Sequence, residues 1–384
     1  MLPWLRFPAK AKRRGGVCVV PKQAKFGWRV LMSYYVNPDI KNTFRIFPKQ
    51  GRYGYHRYDL NENPEGLPKE FVREVLSEIT PEFLATYPEP DLFLKKYAAY
   101  IGLEFENVMA VNGSDMGLRY IFETFGEHGK KVVTVSPTFG MYAVNCSILG
   151  LVNAPVSYND DLSIDIDKII CEIDEDTRIV ALVNPNNPIG NAYSDDEIER
   201  IVKRAQEVGA VVVVDEAYHY FYEGTFIDRI KDFDNLIVLR TFSKLFSIAA
   251  CRIGVIISNP EFIGYLNNGR LTFDVNSIAL LFAERLLDRR DVIEDLIANA
   301  KEGKAYTLEK LEKLGYECKH CAGNYIFVKP HHNPKELVQK LANEKKVLVH
   351  GFDNELLKDF IRVSIGSKKA MEYFVQAFIE ADIT

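Results

Sequence analysis

Lys244 follows Thr241 and Ser243 and stands eight residues ahead of Arg252, in a stretch, Thr241 to Gly254, that carries no other charge. An amine in apolar surroundings loses hydration, and a cationic neighbour lowers its pKa further, so such a lysine can serve as nucleophile and proton carrier near neutral pH. Two hydroxyls and a guanidinium around it can bind an oxyanion. Other reactive groups recur along the chain: Gly113-Ser114-Asp115 opening a helical segment, Asn184-Pro-Asn-Asn-Pro-Ile-Gly190, and Asp215-Glu-Ala-Tyr218. A Gly-Ser pair at a helix N-terminus offers backbone N–H groups to an anion. Taken singly, these are a helix cap, a turn and a strand-end charge.

Their placement makes them a set. Short runs rich in Val and Ile at 131, 178, 210 and 235 alternate with segments of helical spacing such as 138–149 and 194–208. Continuous apolar strands between helices predict a parallel sheet covered on both faces. Ligands of such sheets gather beyond the carboxyl ends of the strands, and each group named above follows an apolar run. After about 275 the pattern changes to two amphipathic helices (277–288 and 291–314) and three further strands. The expected fold is therefore α/β: a large, doubly wound, mostly parallel sheet domain at 66–275, a smaller C-terminal α/β lobe at 276–384, and an N-terminal arm at 32–65 that is part of the smaller domain.

From Leu60 to about residue 361 the motifs "LNENPEG", "TYPEP", "VNGSD", "SPTFGMY", "NPNNPIG", "VVVDEAY", "RTFSK" and "IRVSIG" resemble the fold-type-I pyridoxal 5'-phosphate (PLP) enzymes of the class I/II aminotransferase family, most closely its histidinol-phosphate aminotransferase branch. The resemblance implies that Lys244 forms the Schiff base with PLP and then carries the proton at the substrate α-carbon. It implies that Asp215 keeps the ring nitrogen protonated, that Tyr218 and Asn187 bond the ring hydroxyl oxygen, and that Phe139 stacks on the ring. Gly113, Ser114, Asp115, Thr241, Ser243 and Arg252 then surround the phosphate, and Tyr87 reaches the phosphate of the neighbouring subunit in a homodimer. Arg362 grips the substrate carboxylate, with Asn61 and Asn324 near the substrate. Ser247 and Ala250 stand where relatives tend to have glycine. The segment at 268–277, "NGRLTFDVNS", also departs from the branch and is expected on the substrate side.

The resemblance leaves three functional readings. The first is an aminotransferase moving an amino group from an amino acid, such as glutamate, to an oxo substrate, phosphorylated or not. The second is a phospho-amino-acid decarboxylase sharing every cofactor residue, and the third is a binding module that keeps only the fold. The complete set of reactive residues argues against the third.

Composition sets outer bounds. A chain of 384 residues with net charge −5 has no general attraction for nucleic acid or anionic membranes, and no apolar run reaches the roughly 20 residues of a spanning helix. Six scattered cysteines fit a reducing compartment, so a cytoplasmic address is expected. Cys318 and Cys321 lack two further ligands at matching spacing, so no metal is expected. The first 31 residues hold eight basic side chains and no Asp or Glu, which reads as a basic, poorly ordered extension. Met32, just before the recognisable sequence, is a candidate start.

Overall fold

The apolar runs pair into one seven-stranded sheet in the computed structural model, which describes residues 34–43, 45, 47 and 51–383. In chain order its strands are β1 (Val108–Val111), β2 (Lys131–Ser136), β3 (Val152–Ser157), β4 (Thr177–Val183), β5 (Val211–Asp215), β6 (Leu236–Thr241) and β7 (Gly254–Ile257). Their spatial order is β1-β7-β6-β5-β4-β2-β3. All pairings are parallel except those of β7, which runs antiparallel to both β1 and β6. Every residue of β5 and β6 is buried, as a sheet covered on both faces requires. Each fully buried Val, Leu or Ile there contributes about 1.5–3 kcal/mol relative to exposure, which holds the strand ends rigid. Edge strand β3 escapes sequence reading because only Val156 among its residues is buried and Pro155 interrupts it.

A second sheet is antiparallel, in the order β10-β11-β9-β8, from β8 (Glu317–His320), β9 (Tyr325–Lys329), β10 (His350–Gly351) and β11 (Ile361–Ser364). Its own core joins Ile326, Val328, Ile361 and Val363 to Met371, Phe374 and Phe378 of the helix Lys368–Ile383. Tyr58, from the arm, belongs to this core, its hydroxyl donating to Ala370 O at 2.7 Å. A short parallel pairing of His56–Arg57 with Val347–Leu348 fixes the arm beside it. The helices Ser277–Asp288 and Arg290–Lys313 match their expected positions. The first buries Ala279, Leu280, Ala283 and Leu286 in the core of the large sheet, and the long helix joins the second core from Leu308 onward. The basic segment 1–31 and Met32 lie outside the described residues. Among those described, no helix is long and apolar enough to cross a membrane.

Candidate active site

A cavity of about 510 Å³ opens at the carboxyl ends of β4, β5 and β6, and twelve of the fifteen residues singled out from the sequence line it. Asp215 ends β5 and Thr241 ends β6, so strand pairing alone sets their separation. The loop after Asp215 is anchored from behind by a buried ion pair in which Arg240 Nε and Nη2 both donate to Glu216 Oε2, at 3.0 and 2.8 Å. The Phe226 N–H and the Thr225 hydroxyl satisfy the same carboxylate, which offsets the cost of burying it.

One end of the cavity is built for an anion. Ser114 and Asp115 lie in the first turn of the helix Gly113–Phe125, where N–H groups and the helix dipole attract negative charge. Thr241 Oγ1 donates to Ser243 Oγ at 3.0 Å, and Arg252 Nη1 donates to Ser243 Oγ at 3.3 Å. Arg252 holds a left-handed backbone (φ 57°) and turns its guanidinium over Gly113. A Cβ at Gly113 would lie 2.3 Å from Arg252 Nη2, so a side chain there would push the guanidinium aside. Asp115, 3.5 Å from the same guanidinium, is the one acid at this end.

In the middle sits Asp215, buried, with Oδ1 accepting from the Ala217 N–H (3.0 Å) and Oδ2 from the Tyr142 hydroxyl (3.3 Å). Burial pushes its carboxyl up to about 7, outweighing both hydrogen bonds. Phe139, half-buried, stands edge-on to Tyr142 at 6.2 Å. Lys244 donates from Nζ to Leu60 O at 2.9 Å. Desolvation, with the charges of Arg362 and Arg252, lowers its amine to about 8 against the opposing pull of Glu62 and Asp115.

The far end joins the two sheets through residues 59–63. Asn61, with φ 56°, donates from its backbone to Ser364 Oγ (2.8 Å) and from Nδ2 to the Tyr218 hydroxyl (2.9 Å), while its carbonyl accepts from Asn324 Nδ2 (3.0 Å). Arg362 of β11 is buried, donating to Asn187 Oδ1 and to Asp59 O, both at 2.7 Å, while its Nε has no partner among the described residues. Burial raises the Tyr218 hydroxyl to about 12, so it stays a neutral donor.

Three singled-out residues lie elsewhere. Gly113 touches the cavity only through Arg252. Asn324 lines an adjoining cavity of about 450 Å³ that Lys244 also borders, and acts on the main one through Asn61. Tyr87 is exposed and stacks on Phe273 at 4.2 Å, away from the cavity of its own chain. The 268–277 segment, expected on the substrate side, goes with it: Phe273 and Asp274 line a different cavity of about 270 Å³, because the helix Pro260–Gly269 delivers the segment to the outer edge of β1. Sequence reading missed Tyr142, Glu62 and Leu60 O. Tyr142 lies one helical turn from Phe139, a signal that spacing could have given; the others depend on the path of the arm.

The doubly wound sheet with its smaller antiparallel sheet has the fold of solved aminotransferase structures. Residues 59–378 match the family model described as "Aminotransferase class I and II", and the chain belongs to that family, in its histidinol-phosphate aminotransferase-like branch. It is 32% identical over 335 residues to a histidinol-phosphate aminotransferase of Clostridium novyi, covering 86% of this chain and 92% of the relative. A histidinol-phosphate aminotransferase of Sinorhizobium meliloti, solved in complex with PLP, superposes with TM-score 0.81 at 22% identity, over 92% of this chain and 99% of that one. An L-threonine-O-3-phosphate decarboxylase of Porphyromonas gingivalis shares the fold at TM-score 0.70 and 20% identity, over 84% and 98% of the two chains. The protein is a PLP-dependent aminotransferase. The residues present fit that cofactor: Asp215 is a buried carboxylate with no ion-pair partner among the described residues, which suits a protonated ring nitrogen, and Arg252 with the helix terminus suits a phosphate.

Proposed function

We propose that this enzyme moves an amino group from an amino acid donor such as glutamate to an oxo substrate, phosphorylated or not, with the cofactor attached to Lys244. When bound, PLP supplies an electron sink that stabilises negative charge at the substrate α-carbon. Asp215 holds a proton on the ring nitrogen. Tyr218 and Asn187 would hold the cofactor's ring hydroxyl, and Phe139, lining the same cavity, would pack against its ring. Ser114, Thr241, Ser243 and Arg252 hold the phosphate, with Asp115 orienting the arginine. Arg362 pairs with the substrate carboxylate. Lys244, once free of the cofactor, would take the proton from the substrate α-carbon and give it back later in the exchange. Asn61 and Asn324 keep the arm, and so the substrate, in register with Arg362. Supporting this reading above all is Lys244, an amine near 8 in the same cavity as a buried carboxylate and as Arg362, whose Nε has no partner among the described residues.

Tyr87 and Phe273 are both exposed and stack on each other, which supports a homodimer in which Tyr87 reaches the phosphate of the neighbouring subunit. A cytoplasmic location and the division at about residues 65 and 275 belong to the same reading. The test is a panel of plain and phosphorylated amino acids mixed with the loaded enzyme. Oxo acid appearing in proportion to enzyme supports amino-group transfer; carbon dioxide release instead would establish the decarboxylase reading.

A further inference from the structure

We propose that Arg52 is a positioning residue that sets the proton affinity of Lys244 by pairing with the Glu62 carboxylate, which borders the same cavity. This rests on the reading of Lys244 as the cofactor lysine. Arg52 opens the short turn Arg52–Gly54, lines a neighbouring cavity of about 410 Å³ that Glu62 and Ser243 also border, and forks between two acids. Its Nη1 and Nη2 donate to the two Glu62 oxygens at 3.1 and 2.8 Å, and its Nε and Nη2 to the two Asp59 oxygens at 3.2 and 2.6 Å. Only a planar guanidinium can serve both acids at once.

Both acids flank Leu60, whose carbonyl accepts from Lys244, and Glu62 lines the same cavity as the lysine. The charged groups that bear most on Lys244 are Arg362 from β11, Glu62 from the arm, Asp115 from the first helical turn and Arg252 from the approach to β7, with Asp215 in the same cavity. Arg362 is buried with its Nη groups committed, and Asp115 is tied to Arg252, so Glu62 is the acid whose position the arm controls. Facing Glu62 are Arg52, Arg57 at 3.7 Å, and Lys244 itself. Burial pushes Glu62 up, but the hydrogen bonds and charge of Arg52, helped by Arg57 and Lys244, bring it below the ordinary carboxylate range. Without Arg52 the Glu62 carboxylate loses its main counter-charge beside the lysine, which then holds its proton more tightly.

The experiment uses the holoenzyme of full-length wild type, R52Q, R52K, E62Q and R52Q/E62Q. Three readouts apply: the pH titration of the bound cofactor's visible absorption, the acid limb of kcat/KM, and cofactor attachment fixed by borohydride and located by mass spectrometry. R52Q should move both pH midpoints up by about half to one unit, and R52K by less. E62Q alone should move them by under about 0.3 unit, yet in the R52Q background it should cancel the whole shift. The same E62Q shift in both backgrounds would show that the two charges act independently, and an unshifted R52Q would show that Arg52 does not act on Lys244; either result overturns the proposal. Attachment at Lys244 in every variant with no R52Q shift removes only the role of Arg52, whereas attachment of wild type at another lysine overturns the cofactor reading and this one with it.

Discussion

Asp215→Asn should make the cofactor-free protein more stable while disabling the enzyme, and pH decides by how much. Burial raises the folded carboxyl from 3.8 to about 7, so the folded state binds the proton more tightly than the unfolded chain does. A group raised in this way contributes stability that is complete below about pH 4 and is lost as pH rises through about 7. A difference of about 3 pH units corresponds to about 4 kcal/mol, an upper figure because the buried site relaxes around the charge. Asparagine has the shape of the protonated acid and can keep the Ala217 N–H bond. Urea unfolding of both cofactor-free proteins should therefore coincide near pH 4 and diverge by up to about 4 kcal/mol in favour of the variant at pH 8. In the loaded enzyme the order reverses, since only the carboxylate balances a cationic ring nitrogen, and kcat should fall about a hundredfold or more. Equal stability of the two proteins at pH 8 would refute the reasoning, because it would mean that the Asp215 charge is already compensated.

Two further substitutions probe the ends of the cavity. Gly113→Ala places a Cβ 2.3 Å from Arg252 Nη2 at φ +74°, so the guanidinium must leave the anion cradle; cofactor affinity, measured by equilibrium dialysis, should fall about tenfold or more with little change in far-UV circular dichroism. Arg362→Lys keeps the charge but loses the fork that bridges Asn187, Asp59 and an incoming carboxylate, so KM for the amino donor should rise about tenfold to a hundredfold while cofactor binding is retained.

The parts of this site that sit on regular elements could be read in the sequence. Asp215 and Thr241 end apolar runs whose strands are buried throughout, and the position of a strand end follows from where the run stops. Lys244 and Arg252 follow from the same logic, because the connection between β6 and β7 is short. Residues 59–63 behave differently: they form no strand, and Asn61 is fixed by Ser364, Tyr218 and Asn324, more than 150 residues away along the chain. No local pattern encodes such contacts. The outward path of 268–277 was hidden for a similar reason, since the backbone N–H of Asn112 bonds Asp274 Oδ2 at 3.0 Å and draws the segment toward β1. Ser247 illustrates a milder case: it occupies φ +60°, which favours glycine, and its hydroxyl accepts from Asn63 at 2.9 Å, a tie to the arm visible only in three dimensions.

The central claim is that Lys244 carries the cofactor. Lys304 is the sharpest internal control, because burial also lowers its amine, yet it donates to the carbonyls of Cys321 and Gly323 and lines none of the cavity at the strand ends. Borohydride reduction of the loaded enzyme, followed by peptide mass spectrometry, should find one cofactor mass per chain on Lys244 and none on Lys304. A cofactor mass on Lys304 or any other lysine, or none on Lys244, would contradict the account.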